Sequence, residues 1–294
     1  MSLFSKRSLI VIVILLLIGI GTFVFMSKKP KSLPVVEEKP AYIQKVIGTS
    51  VEGREIESYT YGSGPKHLVF VGGIHGGYEW NSVLLAYEIM DYLEADPTRV
   101  PASLTVTIIP SANPDGVYKV TRKEGRFTAR DVSTLSWSIS TTILASGRFN
   151  ANNVDLNRNF DCKWKPESTW QGKKVSAGSK AFSEPEARTI RDFILQNKSN
   201  IKGVVFWHSQ ANTVYASECK LGILPTTLDL MNVYSKAASY KAVKKFDAYE
   251  VSGDAESWLA SINIPAITVE LKNHTDLDLA QNLAGVKAVF DYFK

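Results

Sequence analysis

Leu68–Asn81 reads LVFVGGIHGGYEWN. Four apolar residues run into two glycines, a histidine and a glutamate follow, and helical spacing begins after Glu79. This order predicts a buried strand that ends in a glycine-rich turn carrying polar side chains. Imidazole and carboxylate groups are ordinary zinc ligands, so His75 and Glu79 are candidates for that role. The His-x-x-x-Glu spacing is a weak signal alone, and the rest of the chain decides how it is interpreted.

Apolar segments of strand length recur along the chain and alternate with segments of helical spacing. Buried strands are predicted at His67–Val71, Ala102–Pro110, Gly203–Trp207 and Ile264–Val269, after an edge hairpin at Ile43–Tyr61. Helices are predicted at Trp80–Leu93, Leu228–Phe246 and Asp276–Phe293. This alternation predicts a single α/β domain, with a central mixed, mostly parallel twisted sheet flanked by helices.

Polar side chains follow each of the four predicted buried strands. These are His75, Asn113, His208 and Glu270. In open α/β sheets ligands bind beyond the carboxyl ends of the strands, so the four side chains are expected to share one rim. His208 then supplies a third zinc ligand beside His75 and Glu79, and a catalytic zinc site needs three protein ligands and one open position.

Two further patterns suit peptide chemistry. Burying a carboxylate at a strand end costs free energy, so such a residue is expected to have a function. Glu270 lies at this position and can act as general base towards water that a metal activates. Asn157 and Arg158 are adjacent in NVDLNRNF (Asn153–Phe160). An arginine beside an amide is suited to holding a carboxylate by paired hydrogen bonds.

Composition limits the classes of function. The chain has 294 residues, 45% of them hydrophobic, which fits one large globular domain. Its net charge is +5, and residues 1–31 contain five cations and no acid, so the remainder is neutral. The basic residues flank an apolar segment, and we therefore expect no nucleic-acid partner.

The N-terminus predicts a membrane-tethered organisation. Residues 1–7 are a short tail, 8–27 a transmembrane anchor or signal segment, 28–42 a Pro-rich linker and 43–294 the catalytic domain. An uncleaved anchor with the domain outside the cytoplasm, in the periplasm or at the cell exterior, is favoured over secretion after signal cleavage. In that compartment a Cys162–Cys219 disulfide becomes plausible.

The motifs IHGGYEW, NPDG, VDLNRNF, WHSQ and ITVEL together resemble the zinc metallocarboxypeptidases of the carboxypeptidase A/B type, in the family's order and over Tyr42–Lys294. The resemblance implies an enzyme with one Zn²⁺ per chain, held by His75, Glu79 and His208, and we expect the chain to be a monomer. It also implies that Glu270 is the general base and that Asn157 and Arg158 hold the substrate's terminal carboxylate.

The same resemblance implies further roles. Arg148 matches the arginine that stabilises the oxyanion, with Arg126 as the alternative because GRFTARDV (125–132) nearly repeats GRFNANNV (147–154). In YEVSGDAESW, Tyr249 matches the tyrosine that closes over the substrate terminus. Glu256 then falls at the position lining the specificity pocket, with Asp254 close by, which implies preference for basic or diamino C-terminal residues.

One departure from the family pattern concerns the first two ligands. The family spaces them as His-x-x-Glu, whereas this chain has one more residue between His75 and Glu79. In a helix that change would rotate the second ligand by about 100°. In a glycine-rich loop the extra residue can be absorbed as a small bulge. The assignment of Glu79 as a ligand therefore depends on the conformation of this turn.

Three other functions compete with peptide-specific carboxypeptidase activity. A murein-peptide amidase or carboxypeptidase would act on cell-wall stem peptides, which suits the envelope location and an acidic pocket. A related deacylase is disfavoured because Asn157, Arg158 and Tyr249 suit a peptide terminus. A non-catalytic envelope binding protein ranks low because the candidate ligands and base are all present.

Overall fold

A computed structural model of the chain describes residues 41–136, 141–220 and 222–294. Residues 41–294 form one compact unit. Within the described residues, no helix is both long and apolar enough to cross a membrane. The predicted tail, the anchor at 8–27 and all but the last two residues of the linker at 28–42 lie outside the described residues.

An eight-stranded mixed sheet forms the centre of the described residues. Its strands, with a separate hairpin, are β1 Ile43–Thr49, β2 Glu55–Gly62, β3 Lys66–Val71, β4 Leu104–Ile109, β5 Glu167–Trp170, β6 Lys173–Ser176, β7 Ile201–Ser209, β8 Thr213–Ala216, β9 Lys241–Val243 and β10 Ala266–Leu271. The order in the sheet is β1-β2-β4-β3-β7-β10-β8-β9, and β5 pairs only with β6. The four central strands β4, β3, β7 and β10 are parallel, whereas β2 and β8 pair with them antiparallel.

Helices cover both faces of this sheet. They are α1 Trp80–Glu94, α2 Pro114–Thr121, α3 Ala129–Ser136, α4 Thr141–Ser146, α5 Pro185–Asn197, α6 Pro225–Ala238, α7 Ala255–Ser261 and α8 Leu279–Phe293. One apolar cluster packs α1, α6 and α8 against the sheet and includes Phe70 stacked on Trp207, with ring centroids 5.3 Å apart. A second cluster packs α5 and α7 against the opposite face. The predicted α/β domain with a mixed central sheet is therefore confirmed.

The predicted helix Leu228–Phe246 is wrong in its second half. Helix α6 ends at Ala238, where Ser239 adopts a left-handed backbone conformation with φ of 57°. The chain then extends into β9, which pairs in parallel with β8. Helical spacing alone did not reveal this stop, because the residue that ends the helix is a serine rather than a glycine.

The strands that carry the predicted site run further than expected. His208 lies inside β7 and Glu270 inside β10, rather than just beyond the strand ends. These two residues are register partners in the parallel β7–β10 pair. Adjacent parallel strands therefore hold the two side chains side by side at one edge of the sheet.

Candidate active site

Three buried side chains converge on one point at the carboxyl edge of the central strands. His75 Nδ1 lies 2.8 Å from Glu79 Oε1, and His208 Nδ1 lies 3.1 Å from His75 Nδ1 and 3.0 Å from Glu79 Oε2. All three residues are at most 5% exposed. The structure thus brings together the three predicted metal ligands, with the same nitrogen of each imidazole facing the common point.

This donor set fits zinc. A tetrahedral ion with bonds of about 2.0–2.1 Å to nitrogen and oxygen spaces its ligand atoms by roughly 3.3 Å, close to the observed separations. Two imidazoles and one carboxylate also leave a fourth position open, as in catalytic zinc sites. His75, Glu79 and His208 can therefore hold one metal ion.

A short 3-10 turn, Gly76–Glu79, absorbs the extra residue between the first two ligands. Gly76 has a φ of +48°, and a β-carbon there would lie 2.5 Å from the carbonyl oxygen of Gly147. Only glycine fits this conformation and this close approach. The turn brings Glu79 back to His75 despite the additional position, and Tyr78 lines the neighbouring cavity.

Each imidazole has a buried carboxylate near its other nitrogen. Asp155 Oδ1 lies 3.5 Å from His75 Nε2, and Glu256 Oε1 lies 3.1 Å from His208 Nε2. Burial opposes ionisation of Asp155, but the charges of Arg148 and Arg158 outweigh it and hold the pKa of this carboxyl well below its usual range. Asp155 is therefore a fixed negative charge beneath the site.

The two imidazoles and Glu79 also affect one another electrostatically. Burial would raise the pKa of Glu79, but His75 and His208 lower it far more. Burial likewise opposes the charged form of His208, while Glu79 and Glu256 raise its pKa well above the ordinary value. The carboxylates at both nitrogens thus give His208 a strongly cation-attracting environment.

Arg148 and Arg126, the two arginines of the near-repeat, differ in their distance from the site. Arg148 is 3% exposed, donates from Nε to Asp155 Oδ2 at 2.9 Å and reaches within 3.9 Å of Glu79. Arg126 instead pairs with Asp91 and donates to the carbonyl oxygen of Tyr87 at 3.4 Å. Among the described residues, Arg148 lines the cavity beside the three converging side chains and Arg126 does not.

Asn157 and Arg158 lie on a single 3-10 turn, Leu156–Arg158, and both line the same cavity. The Asn157 side-chain oxygen accepts from the Ala255 backbone N–H at 2.9 Å. Arg158 is 2% exposed and donates from Nε to Ser168 Oγ at 3.1 Å and from Nη1 to the Asn157 carbonyl oxygen at 2.6 Å. The guanidinium is thus held rigidly at the cavity wall.

Glu270 faces the same cavity with a partly exposed side chain. Within the described part of the chain, its Oε2 is buried without a hydrogen-bond partner. Burial first, and then the charges of Glu79 and Glu256, raise the pKa of Glu270 to about 8, against the opposing effects of His208 and Arg148. A carboxyl with a pKa near neutrality and an unsatisfied oxygen is suited to proton transfer.

The remaining predicted substrate-binding residues also line the cavity, whose volume is about 780 Å³. Tyr249 is 38% exposed and packs edge-on against Phe246. Asp254 is partly exposed, and its Oδ2 accepts from the Ser257 backbone N–H at 2.9 Å, which caps α7. Glu256, in contrast, is 2% exposed and is hydrogen-bonded to His208, so it is not simply an open pocket acid.

Sequence reasoning missed four residues of the site. Asp155 stood within the quoted NVDLNRNF motif, and its position two residues before Asn157 was the available signal. Tyr78 packs against His274 and Trp170, with ring centroids 4.5 and 5.1 Å apart. Trp170 also lies 4.9 Å beneath the Arg148 guanidinium. No sequence pattern marked Trp170 or His274, because their contacts come from separate parts of the chain.

A disulfide joins Cys162 to Cys219 at the edge of the cavity. It ties the loop that follows Asn157 and Arg158 to the loop after β8. Gly253 adds two backbone hydrogen bonds to the first of these loops, one from the N–H of Phe160 and one to the carbonyl of Cys162, both at 2.8 Å. The wall that carries Arg158 is therefore fixed from two sides.

The chain is similar to several known proteins. Residues 34–282 match a family model described as zinc carboxypeptidase. The chain is 24% identical over 245 residues to gamma-D-glutamyl-L-diamino acid endopeptidase 1 of Lysinibacillus sphaericus, which covers 78% of the chain but only 60% of that relative. It is 27% identical over 262 residues to a zinc carboxypeptidase of Simulium vittatum, covering 81% of each.

A solved structure shares the fold. Bovine thrombin-activatable fibrinolysis inhibitor, in complex with a tick carboxypeptidase inhibitor, superposes with a TM-score of 0.66 at 18% identity, covering 86% of the chain and 90% of that protein. At this identity the likeness supports the architecture alone.

Proposed function

The chain belongs to the zinc carboxypeptidase family, and we propose that it is a zinc-dependent metallocarboxypeptidase that removes single C-terminal residues from peptides. The observation that carries the proposal is the convergence of His75, Glu79 and His208 at one wall of a cavity that Glu270 and an arginine pair also line.

One Zn²⁺ per chain is proposed, held by His75, Glu79 and His208. Zinc, when bound, polarises the scissile carbonyl and activates the attacking water. Glu270 is proposed as the general base that takes the proton from that water and passes it to the leaving amine. The partly exposed position of Glu270 on the cavity wall and its raised pKa support this role.

Arg148 is proposed to stabilise the negative charge that develops on the carbonyl oxygen. Asp155 holds the guanidinium rigidly, so little reorganisation is needed when that charge appears. Asn157 and Arg158 are proposed to bind the substrate's terminal carboxylate, and Tyr249 to close over it. A chain bound in this way presents its last peptide bond, which explains removal of one residue at a time.

The test of this proposal is peptide hydrolysis by the full chain and by Glu270→Gln. The amide cannot accept a proton, so kcat/KM should fall by about 10²–10⁴-fold while the bound zinc is retained. A wild-type chain that releases no terminal residue in a zinc-dependent manner would reject the proposal, as would full activity in Glu270→Gln.

The terminal-residue preference is proposed to be for basic or diamino residues. Asp254 lies partly exposed on the cavity wall and supports an acidic pocket. Peptides that differ only in their last residue test this preference. Faster release of Phe or Leu than of Lys or Arg would contradict it.

A murein-peptide amidase or carboxypeptidase is the second candidate. The acidic wall suits a diamino acid, and the similarity to an endopeptidase named for a diamino-acid bond favours this substrate class. Digestion of a mixed peptide and muropeptide library, read by mass spectrometry, distinguishes the two. Exclusive cleavage of muropeptides would select the cell-wall enzyme. The deacylase and the non-catalytic binding protein remain less favoured, because the carboxylate-binding pair, ligands and base are all present.

The catalytic domain is proposed to span 43–294 and to function as a monomer outside the cytoplasm, tethered through residues 8–27. The Cys162–Cys219 disulfide supports an oxidising compartment. Fractionation of cells that produce the full chain tests the tether. Recovery of the intact chain in the membrane fraction supports it, and recovery of a shortened chain in the medium selects the cleaved-signal alternative.

A further inference from the structure

Glu256 lies at the cavity wall, where its carboxylate is held against His208. Its Oε1 lies 3.1 Å from His208 Nε2, and both residues are 2% exposed. Thr268 Oγ1 donates to the same oxygen at 3.0 Å. Because Thr268 lies two residues before Glu270 on β10, that strand supplies both the proposed base and a hydroxyl that fixes Glu256.

The start of helix α7 is itself fixed, so Glu256 has little freedom to turn away. The Asn157 side chain accepts from the Ala255 backbone N–H at 2.9 Å, and Asp254 accepts from the Ser257 backbone N–H at 2.9 Å. These bonds anchor the residues on both sides of Glu256. The contact with His208 is therefore built into the helix start and does not depend on a mobile side chain.

Both ligand imidazoles have a buried carboxylate near the outer nitrogen. Each presents Nδ1 to the common point and Nε2 to a buried carboxylate, Asp155 for His75 and Glu256 for His208. A carboxylate that accepts from the outer nitrogen of an imidazole fixes the ring orientation, keeps the proton off the inner nitrogen and increases its basicity. Glu256 makes this contact with His208 at 3.1 Å, whereas Asp155 lies 3.5 Å from His75 Nε2, which has no hydrogen-bond partner among the described residues. The hydrogen-bonded contact therefore points to an orienting role for Glu256.

We propose that Glu256 is a positioning residue that orients His208 towards the metal, and that it does not read the substrate's terminal side chain. This inference rests on the proposed function, because His208 is a proposed zinc ligand. The acid left to recognise a basic terminal group is then Asp254, which is partly exposed on the cavity wall and whose Oδ2 accepts from the Ser257 backbone N–H.

The first test measures zinc affinity by competition with a chelator for the full chain, Glu256→Gln and Asp254→Asn. Loss of the Glu256 charge should weaken zinc binding by about tenfold to hundredfold, the range typical for partners of metal ligands. The Asp254→Asn control keeps the helix cap and should leave zinc affinity unchanged. Equal affinity in the wild type and in Glu256→Gln would overturn the proposal.

A second variant keeps the proposal testable if Glu256→Gln does not fold. Thr268→Val removes the hydroxyl that donates to Glu256 and leaves the carboxylate in place. It should weaken zinc binding in the same direction by a smaller factor, with the metal-free protein unfolding at the wild-type temperature. If Glu256→Gln does not fold, unchanged zinc affinity in Thr268→Val overturns the proposal.

The second test separates positioning from substrate recognition. At saturating zinc, the ratio of kcat/KM for peptides ending in Lys and in Phe should be the same for the wild type and Glu256→Gln. A collapse of that ratio in Glu256→Gln would assign substrate recognition to Glu256 and contradict the inference. The zinc measurement needs no substrate, so failure of the proposed activity in the wild type is distinguishable from failure of this inference.

Discussion

Asp155 connects three parts of the candidate site. One oxygen accepts from Arg148 Nε at 2.9 Å, and the other lies 3.5 Å from His75 Nε2 and accepts from the Asn157 backbone N–H at 3.1 Å. A single fully buried carboxylate thus holds the proposed oxyanion arginine and the turn that carries Arg158, and it lies beside a proposed ligand. Its replacement would disturb all three.

Arg148 and Arg126 offer a matched pair of variants. Arg148→Lys removes the forked guanidinium that Asp155 orients, so kcat should fall by about 10²–10³-fold, the range for losing one oxyanion donor. Arg126→Lys should leave kcat unchanged, because its guanidinium pairs with Asp91 on the surface. Steady-state kinetics on one peptide measures both.

Zinc content is the control for this comparison, and both variants should keep the wild-type amount. Loss of activity in Arg126→Lys with full activity in Arg148→Lys would reverse the assignment of the two arginines.

At the scale of elements, the hairpin β5–β6 contributes a residue that no pattern indicated. Each strand has four residues, and the connecting Gln171 and Gly172 have φ of 49° and 73°. Positive φ at both positions is typical of a tight type I′ hairpin. Trp170 at the end of β5 places its ring under Arg148 and beside Tyr78.

Removing the Trp170 ring tests what the hairpin does for the site. Trp170→Ala deletes the aromatic face beneath Arg148, and a partly buried cation–π contact is worth about 1 kcal/mol. We expect kcat/KM to fall by about fivefold to tenfold, whereas Trp170→Phe should retain most of the activity. Glu167→Gln on the same hairpin is the control and should behave as wild type. Full activity in Trp170→Ala would mean that the ring is only packing.

The central strands could be predicted because buried strands of a parallel sheet are continuous apolar runs. The segments around Val69, Ile108, Val205 and Ile267 are of this kind and became β3, β4, β7 and β10. β8 and β9 have four and three residues and carry no such signal. Their place beside β10 is decided by long-range pairing, which sequence periodicity does not encode.

The proposed ligands and base could be predicted because they lie at the ends of such apolar runs. Ligands and base follow apolar runs, so a rule about strand ends found His75, His208 and Glu270. The contacts that Glu256 and Asp155 make with the ligands were not predictable, since Glu256 lies 48 residues from His208 and Asp155 lies 80 residues from His75. Such contacts depend on how the helices and loops pack against the sheet.

For the whole molecule, His67 predicts a pH dependence of stability. Its ring is buried at the start of β3, with Nε2 2.8 Å from Thr107 Oγ1, and burial lowers the pKa of His67 from 6.5 to about 4. Between those values the unfolded chain binds the proton and the folded chain does not. Stability therefore falls as pH decreases from about 6.5 to about 4, by about 3 kcal/mol from this residue.

His67→Gln isolates that contribution, because other titrating groups cancel between the two proteins. Urea denaturation gives the unfolding free energy of each protein. Between pH 7 and pH 4, that of the wild type should fall by about 3 kcal/mol more than that of the variant. Parallel stability curves over this range would show that His67 is not buried as described.

The most direct test of the central claim is the zinc content of the purified full chain and of His208→Ala after dialysis at pH 7. The site geometry predicts about one zinc per chain in the wild type, because three buried donors lie within 4.8 Å of one another. It predicts little or none in His208→Ala, which removes one of the three. A wild-type chain without zinc, or a variant with undiminished zinc, would contradict a metal site at His75, Glu79 and His208.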